Sequence, residues 1–456
     1  MKGKASWKVF IIITFLFIIL ALTSFTHNGL GIIVDEEYDY LVEAINGPAY
    51  GGIVGSESLG LLYNSGFATY FAPDGVEGIA SDLTLYERKE LQINQYINGE
   101  TFTADEEIFV YTSKMNLGGI IASVTDKVLS MATRPQRAKY EIFKMLSASM
   151  AILLIMVIAY FALKEFGVLS ASLVYISTVL AYWIVPYGQG INNSLFVFLL
   201  PFTLSLAIQM RNEYSLKPPV KPWIELSLLC IAIFIKCGMG YEALPTILVS
   251  MTIPYFIFAI IYKWQFKVLF KRLVAVSIAG LSGVVLAFAV HFVQLSHYLN
   301  SSSMAFSEMM NSLGERTWGD PEKYATMFEK SLTTSIGDVV KKYIALLNQR
   351  YFLLMNLKNV IMLFATISIV FIAILLIFRK RAGAKIVARK TAALYAGVGL
   401  SLVASMSTMI VLKAHSSIHT LLTAIVWYIP LYLVMFMLIG YSLKAIWGLL
   451  TNKLAE

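Results

Sequence analysis

Residues 360–381 read VIMLFATISIVFIAILLIFRKR, an uncharged run followed at once by three basic residues. A helix of about 20 apolar residues crosses the hydrocarbon core of a bilayer, because it satisfies its backbone polar groups internally. Basic residues beside such a run are typical of its cytoplasmic end. This stretch therefore predicts a transmembrane helix that reaches the cytoplasmic side at Arg379.

Composition extends this interpretation to the whole chain of 456 residues, of which 58% are hydrophobic and 14% are charged. Soluble domains carry about 25% charged residues, so most of this chain must be surrounded by lipid. The formal net charge of +8 raises the question of nucleic acid. The basic residues lie in short loops between apolar runs, which favours anionic lipid headgroups and no nucleic-acid partner.

Ten apolar runs of about 17–22 residues are long enough to cross the bilayer as helices. They predict an all-α polytopic membrane protein with about ten transmembrane helices in a single membrane domain, residues 1–456. The first run continues to Phe25 without a convincing cleavage site, which favours an uncleaved anchor over a signal peptide. The runs lie near residues 8–26, 144–163, 168–186, 194–210, 223–239, 243–262, 273–295, 358–378, 391–412 and 420–440.

Basic residues also predict which face of the membrane each loop occupies. With a cytoplasmic amino terminus, the predicted cytoplasmic segments hold 19 basic and three acidic residues. The loop 27–133 on the opposite face holds 16 of the 28 acidic residues and only four basic ones. Both termini are therefore predicted to be cytoplasmic. The predicted cytoplasmic segments are 1–8, 164–167, 211–222, 263–272, 379–390 and 441–456.

Two outer regions are large enough to hold structure of their own. The first outer loop, 27–143, is predicted to contain a helix over 82–96 and an amphipathic interfacial helix over 117–131. The second outer loop, 296–357, is charge-balanced, and its 324–348 portion has helical periodicity.

Polar groups interrupt the apolar runs mainly at the predicted outer ends. All five histidines lie there, and so does the turn KCGMGYE from Lys236 to Glu242. Ionisable groups at membrane depth usually face a cavity or a partner, so this turn, with Tyr241, is a candidate substrate-binding segment. The alternative is an ordinary tight turn in which Lys236 extends to the headgroups and pairs with Glu242.

The segment KAHSSIHT, residues 413–420, carries Lys413, His415 and His419 between two apolar runs. Histidines four residues apart on a helix can bind zinc, but a third ligand and the glutamate of a zincin are absent, so no metal is expected. Binding of a phosphate by Lys413 with the histidines suits these residue types better. Hydrogen bonding at a helix end is the structural alternative.

Four carboxylates in five positions, Asp35, Glu36, Glu37 and Asp39, follow the first apolar run. Carboxylates this close repel each other, which favours the proton affinity that a general base requires. A solvated acidic patch is the equally simple alternative.

A cytoplasmic amino terminus, one span and a long outer loop that opens with Asp35-Glu36-Glu37-Tyr38 resemble the layout of the GT-C superfamily of membrane glycosyltransferases. The turn from Pro186 to Asn193 is also similar to the region around the third and fourth spans of that superfamily. The resemblance covers residues 1–210 and consists of an architecture and one short motif.

The resemblance implies transfer of a sugar from a polyprenyl-phosphate donor to an envelope glycan or lipid acceptor on the outer face of a bacterial plasma membrane. Asp35 or Glu36 would deprotonate or orient the acceptor hydroxyl, and cationic side chains would stabilise the departing phosphate. No cofactor is implied. The residues predicted to bind the donor phosphate or the substrate are Lys236, Tyr241, Glu242, Lys413, His415 and His419.

The sequence is also compatible with three other functions. A transporter or flippase of a lipid-linked or anionic substrate is expected to have broken helices near the middle of the bilayer and related halves, and no repeat is visible. A glycan polymerase or ligase would use the second outer loop, with Arg316 and Arg350. A structural assembly factor would leave the outer polar groups without a common cavity.

Overall fold

A computed structural model describes most of the apolar chain and part of the outer regions. The carboxylates Asp35 and Glu36 and the predicted helix 82–96 lie outside the described residues. The described residues are 2–27, 29–30, 62–63, 98, 110–132, 135–182, 184–190, 194–215, 218–324, 326–346, 350–352 and 355–452.

Helices account for most of these residues, and two short antiparallel strand pairs accompany them. The strands are β1 (Leu62–Tyr63) paired with β2 (Val110–Tyr111), and β3 (Arg350–Phe352) paired with β4 (Met355–Asn356). The helices are α1 (Lys2–His27), α2 (Leu117–Ser130), α3 (Gln136–Glu165), α4 (Val168–Val179), α5 (Ile184–Gln189), α6 (Leu195–Tyr214), α7 (Pro222–Met239), α8 (Leu244–Ser250), α9 (Ile253–Tyr262), α10 (Phe266–Tyr298), α11 (Ser302–Arg316), α12 (Thr326–Thr333), α13 (Ile336–Ala345), α14 (Leu357–Ile377), α15 (Ala384–Val411), α16 (Lys413–Ile418), α17 (Thr420–Thr423) and α18 (Leu433–Thr451).

Nine helical segments in the described part of the chain are long and apolar enough to cross a bilayer, which confirms the predicted all-α polytopic membrane fold. The predicted third span, 168–186, differs because it is divided into α4, of 12 residues, and α5, of six. Twelve helical residues rise only about 18 Å, less than the ~30 Å of the hydrocarbon core. Pro186 has no amide hydrogen to donate, so it is accommodated in the first turn of a new helix.

The last apolar segment, Ala424–Thr451, lies at the centre of the bundle. In its most apolar stretch, 94% of the residues are buried, whereas the corresponding share in α14, at the periphery, is 17%. The segment begins with a 3₁₀ turn over Ala424–Trp427 and a π-helical turn over Tyr428–Tyr432, before α18 packs against α4, α14 and α15. Peripheral helices expose large apolar side chains, such as those of Val285 and Ile369, as a surface in contact with lipid does.

One end of the bundle is held by a polar network around Glu165, at the end of α3. The hydroxyls of Tyr214 and Tyr262 each donate to Glu165 Oε1 at 2.7 Å, and Lys390 Nζ lies 2.9 Å from Oε2. These partners lie at the ends of α6 and α9 and near the start of α15. The chain segments predicted to be cytoplasmic at these positions therefore share one end of the bundle.

In the first outer region, α2 is present where the sequence predicts an interfacial helix. The side chain of Asn116 caps it by accepting a hydrogen bond from the amide of Gly119. Ile121, Val124 and Val128 lie exposed along one face of α2. Its placement at the membrane interface stays a prediction.

In the second outer region, the structure has helices within the portion 324–348 that was predicted to be helical. They are two helices, α12 and α13, and Ser335 lies between them. The Ser335 hydroxyl accepts a hydrogen bond from the amide of Asp338 at 3.1 Å, which is the arrangement that starts a new helix.

Candidate functional site

A cavity of about 490 Å³ lies at the end of the bundle opposite Glu165, between α8, α10, α11, α15 and α16. Much of its wall is apolar and comes from transmembrane helices, including Leu248 on α8 and Phe288 on α10. Leu313 and Val411 also line it and are themselves 38% and 47% exposed. The cavity therefore has an opening at the surface of the bundle beside α11 and α15.

Ionisable side chains from separate elements converge on this cavity. They come from the segment before α2, the turn between α7 and α8, and helices α10, α11 and α16. Tyr241, Ser113 and Ser312 add hydroxyl groups to the same lining. The ionisable residues in the lining, apart from Tyr241, are Lys114, Glu242, His291, Arg316 and His415.

Lys114 reaches the cavity because the segment before α2 is held against α7 and α10. His291 Nε2 on α10 lies 3.0 Å from the carbonyl oxygen of Thr112. Gly238 near the end of α7 allows the close approach, since a Cβ at this position would lie 2.9 Å from Leu117 Cβ and 2.5 Å from Met115 Cε. A glycine in one helix therefore positions a lysine from a distant loop.

Glu242 is the acidic residue of the cavity. Burial by itself would raise the pKa of its carboxyl group, but the positive charges of Lys114 and Lys236 outweigh burial and lower that pKa to about 2. Lys236 does not line the cavity: it is fully buried, donates to the carbonyl oxygen of Gly240 at 2.6 Å and lies 4.6 Å from the ring centre of Phe198. Glu242 is therefore ionised at physiological pH, and Lys236 acts on the cavity only through its charge.

Helix α16 places His415 in the cavity wall, with its ring centre 4.8 Å from that of His419. Burial, together with the neighbouring His419 and Arg316, lowers the pKa of His415 to about 3. Burial and Arg316 also lower the pKa of His419. Both rings are therefore neutral at physiological pH. Within the described ranges, no third His, Cys, Asp or Glu joins this pair in a group able to hold a metal ion.

Lys413 is not part of the cavity lining, although it starts the same helix. Its Nζ donates to the carbonyl oxygen of Leu332 at 2.6 Å and lies 4.5 Å from the ring centre of Trp318. Lys342 similarly donates to the carbonyl oxygen of Ser417. Lys413 thus connects the second outer region to α16, and the contacts support the structural alternative for this residue rather than a phosphate contact.

Arg316, at the end of α11, is the second cation in the lining. Its guanidinium group donates to the carbonyl oxygen of Ser312 at 2.8 Å and lies 3.8 Å from the Glu315 carboxylate, with its side chain 25% exposed. The sequence suggested Arg316 for a polymerase or ligase and did not place it among the residues predicted to bind the donor. The structure brings it to the same cavity as Lys114.

Two ionisable lining residues, Lys114 and His291, were not among the predicted binding residues. Lys114 was one charge among many in a long outer loop, and nothing in its neighbours pointed to a cavity. His291 did carry a signal, because a histidine inside an apolar run is costly unless it faces a partner or a cavity. Of the six predicted binding residues, the cavity lining contains Tyr241, Glu242 and His415.

Comparison of the chain with known protein families, with curated proteins and with solved structures found no match. The chemistry of the cavity and the layout of the sequence therefore carry the functional interpretation.

Proposed function

We propose that this protein is a multi-pass membrane glycosyltransferase that uses a polyprenyl-phosphate-linked sugar as donor and an envelope glycan or lipid as acceptor. The observation that carries the proposal is a cavity that joins an apolar wall, formed by transmembrane helices, to a charged end. A lipid phosphate requires both surfaces at once. The volume of about 490 Å³ lies within the range of about 300–1,000 Å³ typical of ligand cavities.

The charged end suits a phosphate because two cations from different elements face the same space. Lys114 is buried, and its one protein hydrogen bond within the described ranges is a long contact of 3.4 Å to the carbonyl oxygen of Met239. Arg316 offers a planar guanidinium group that matches the geometry of phosphate oxygens. In this proposal they take the role that was predicted for Lys236, Lys413 and His415.

The apolar wall suits the isoprenoid chain of such a donor. Leu248 and Val249 on α8 face the cavity together with Val284 on α10. The opening beside Leu313 and Val411 allows a chain longer than the cavity to continue into the bilayer. Burial of apolar chain surface contributes roughly 25 cal/mol per Å² to binding.

In the proposed reaction, the acceptor hydroxyl oxygen forms a bond to the anomeric carbon while the bond from that carbon to the phosphate oxygen breaks. The acceptor proton passes to Asp35 or Glu36, and the polyprenyl phosphate leaves with the bonding electrons. Lys114 and Arg316 stabilise its negative charge. Glu242 is a poor candidate for the base, because a carboxyl with a pKa of about 2 accepts protons weakly.

The proposed cellular location is a bacterial plasma membrane with both termini in the cytoplasm. This orientation puts the cavity on the outer face, where envelope acceptors are found. Its support is the distribution of basic residues together with the gathering of Glu165, Tyr214, Tyr262 and Lys390 at the opposite end.

A transporter is less well supported. The last apolar segment is interrupted over 424–432, as broken transporter helices are, but its described side chains are buried and apolar apart from tyrosine and tryptophan polar atoms. None of these residues lines the cavity. A transporter places its substrate at such an interruption.

The test is transfer by the full-length protein in lipid nanodiscs. Radiolabelled polyprenyl-phosphate hexoses are supplied with a bacterial envelope fraction, and label in the acceptor is measured. We expect Asp35→Asn or Glu36→Gln to reduce transfer about 10²- to 10⁴-fold, as loss of a general base does. Lys114→Gln is expected to weaken donor binding about tenfold or more, because it removes a charge-assisted contact.

Lys323→Gln is the matched control, because this lysine is exposed and outside the cavity. It is expected to retain normal transfer and donor binding. The proposal is overturned if the wild-type protein neither binds polyprenyl phosphate nor transfers label from any donor in the panel.

A further inference from the structure

Four buried polar atoms, all on residues that line the cavity, have no hydrogen-bond partner among the residues that the structure describes. They are Tyr241 Oη, Glu242 Oε2, His291 Nδ1 and His415 Nε2. All four residues line the same cavity. Proteins pair the great majority of their buried polar atoms, because an unpaired one loses its hydration without compensation. Four such atoms on residues that line one cavity indicate a site for a ligand with several hydrogen-bonding groups.

The chemistry of these atoms restricts the ligand. Glu242 is ionised and therefore only accepts hydrogen bonds. His291 Nε2 faces the carbonyl oxygen of Thr112, which cannot donate, so Nε2 carries the hydrogen and Nδ1 of the neutral ring accepts. Two acceptors of this kind require two donors on the ligand. An ionised phosphate has none, whereas a ring with several hydroxyl groups has enough.

The surrounding charges exclude the other common donor, an ammonium group. Lys114 lines the same space, and Lys236 is close enough for its positive charge to act on Glu242. A cationic ligand would be repelled by both lysines. The ring of Tyr241, 5.0 Å from that of Phe288, adds an aromatic wall suited to the apolar face of a sugar.

We propose that Tyr241, Glu242, His291 and His415 form a subsite for a neutral, hydroxyl-rich ring next to the phosphate-binding Lys114 and Arg316. The inference rests on the proposed function and deepens it by assigning the residues that recognise the sugar. The same hydroxyl chemistry comes from two sources, the glycosyl group of the donor lipid or a ring of the acceptor glycan. Tyr241 and Glu242 are recognition residues and take no part in proton transfer.

The experiment measures binding of three probes to the full-length protein in nanodiscs: a short-chain polyprenyl phosphate, the same lipid phosphate carrying a hexose, and a soluble hexose oligosaccharide. Wild-type protein is expected to bind the hexose-bearing lipid more tightly than the bare one. Tyr241→Phe and Glu242→Gln are each expected to weaken binding of the hexose-bearing lipid about tenfold, while binding of bare polyprenyl phosphate changes less than about twofold.

Tyr241→Phe is the decisive variant, because it removes only a hydroxyl group without a protein partner among the described residues. Its thermal unfolding temperature is expected to equal or exceed that of the wild type, so a binding defect cannot be ascribed to misfolding. If Glu242→Gln unfolds, Tyr241→Phe alone decides.

The outcomes separate the two proposals. A selective loss for the hexose-bearing lipid supports the subsite with the donor as source, and a selective loss for the oligosaccharide supports it with the acceptor as source. Unchanged binding of both sugar probes, or an equal loss for bare and hexose-bearing lipid, overturns the subsite and leaves the phosphate site standing. Failure of the wild type to bind either lipid overturns both.

Discussion

Lys390 Nζ lies 2.9 Å from Glu165 Oε2 and also donates to the backbone carbonyl of Glu165, so one side chain joins the start of α15 to the end of α3. The other carboxylate oxygen accepts from Tyr214 and Tyr262. Both oxygens of this largely buried carboxylate are thus paired within the described part of the chain, at the end of the bundle opposite the cavity.

Removing the cation alone should destabilise the protein strongly. Lys390→Met is expected to lower the free energy of unfolding by about 3–5 kcal/mol, because a buried carboxylate loses its counter-charge. The double variant Lys390→Met with Glu165→Gln should recover part of that loss. Thermal unfolding of single and double variants gives the coupling energy. Lys385→Met, at an exposed position, is the control, and equal destabilisation by it would contradict the assignment.

Acid should destabilise the cavity end through its histidines. Burial lowers the pKa of folded His415 to about 3, against an ordinary value of 6.5. As the pH falls below 6.5, His415 binds a proton in the unfolded chain but not in the folded chain. Stability is therefore lost progressively down to about pH 3. The slope from one such group is at most about 1.4 kcal/mol per pH unit.

The measurement is the unfolding temperature between pH 7.5 and 5. His415→Gln is expected to make this decline less steep. His419, whose pKa is also lowered, contributes to the loss of stability in acid in the same direction. His297→Gln changes an exposed histidine and should retain the wild-type profile. An unchanged slope in His415→Gln would count against a neutral, buried ring.

The position of Lys114 should depend on a glycine in α7. A methyl group at position 238 would lie 2.9 Å from Leu117 Cβ, at the start of α2, as well as 2.5 Å from Met115 Cε. Because Leu117 Cβ is fixed to the backbone, Gly238→Ala should displace this segment and cost about 1–3 kcal/mol. Binding of polyprenyl phosphate should also weaken, because Lys114 belongs to the displaced segment. Gly399→Ala is the matched control: nothing lies within 4 Å of its added Cβ, and the change should be neutral or stabilise α15 by about 1 kcal/mol.

The proposed orientation can be tested by labelling single cysteines with a membrane-impermeant maleimide. In a variant with Cys230 and Cys237 replaced by alanine, Ser303→Cys should react in intact cells. Lys380→Cys should react only after permeabilisation, because the basic cluster that contains it is predicted to be cytoplasmic. The reverse pattern would place the cavity in the cytoplasm and remove the proposed access to envelope acceptors.

The transmembrane segments were largely predictable because lipid imposes a simple demand on composition. A chain whose backbone cannot form hydrogen bonds with water must form long apolar helices. Apolar runs such as 358–378 therefore predict transmembrane helices directly. Two predicted spans differ. The third is divided where Pro186 restarts the helix, and the last, 420–440, has irregular turns over 424–432; hydropathy alone predicts neither break. The division of 324–348 at Ser335 is a similar local event hidden within a continuous periodicity.

The candidate site was predictable only where its residues are neighbours in the chain. Tyr241 and Glu242 belong to one turn and were identified together. Lys413 and His415 are two residues apart and looked equivalent, yet Lys413 bonds to Leu332 while His415 faces the cavity. Which way each side chain points depends on the outer helices packed against α16, and no local pattern encodes that packing.

Composition and charge were sufficient to establish a polytopic helical membrane protein and to predict its orientation, since both follow from the transfer of single segments between water and lipid. The meeting of Lys114, Glu242, His291, Arg316 and His415 was decided by tertiary structure alone. These residues come from five elements far apart in the sequence. Their convergence depends on close contacts, such as that of Gly238 with Met115, whose partners are chosen only when the helices pack.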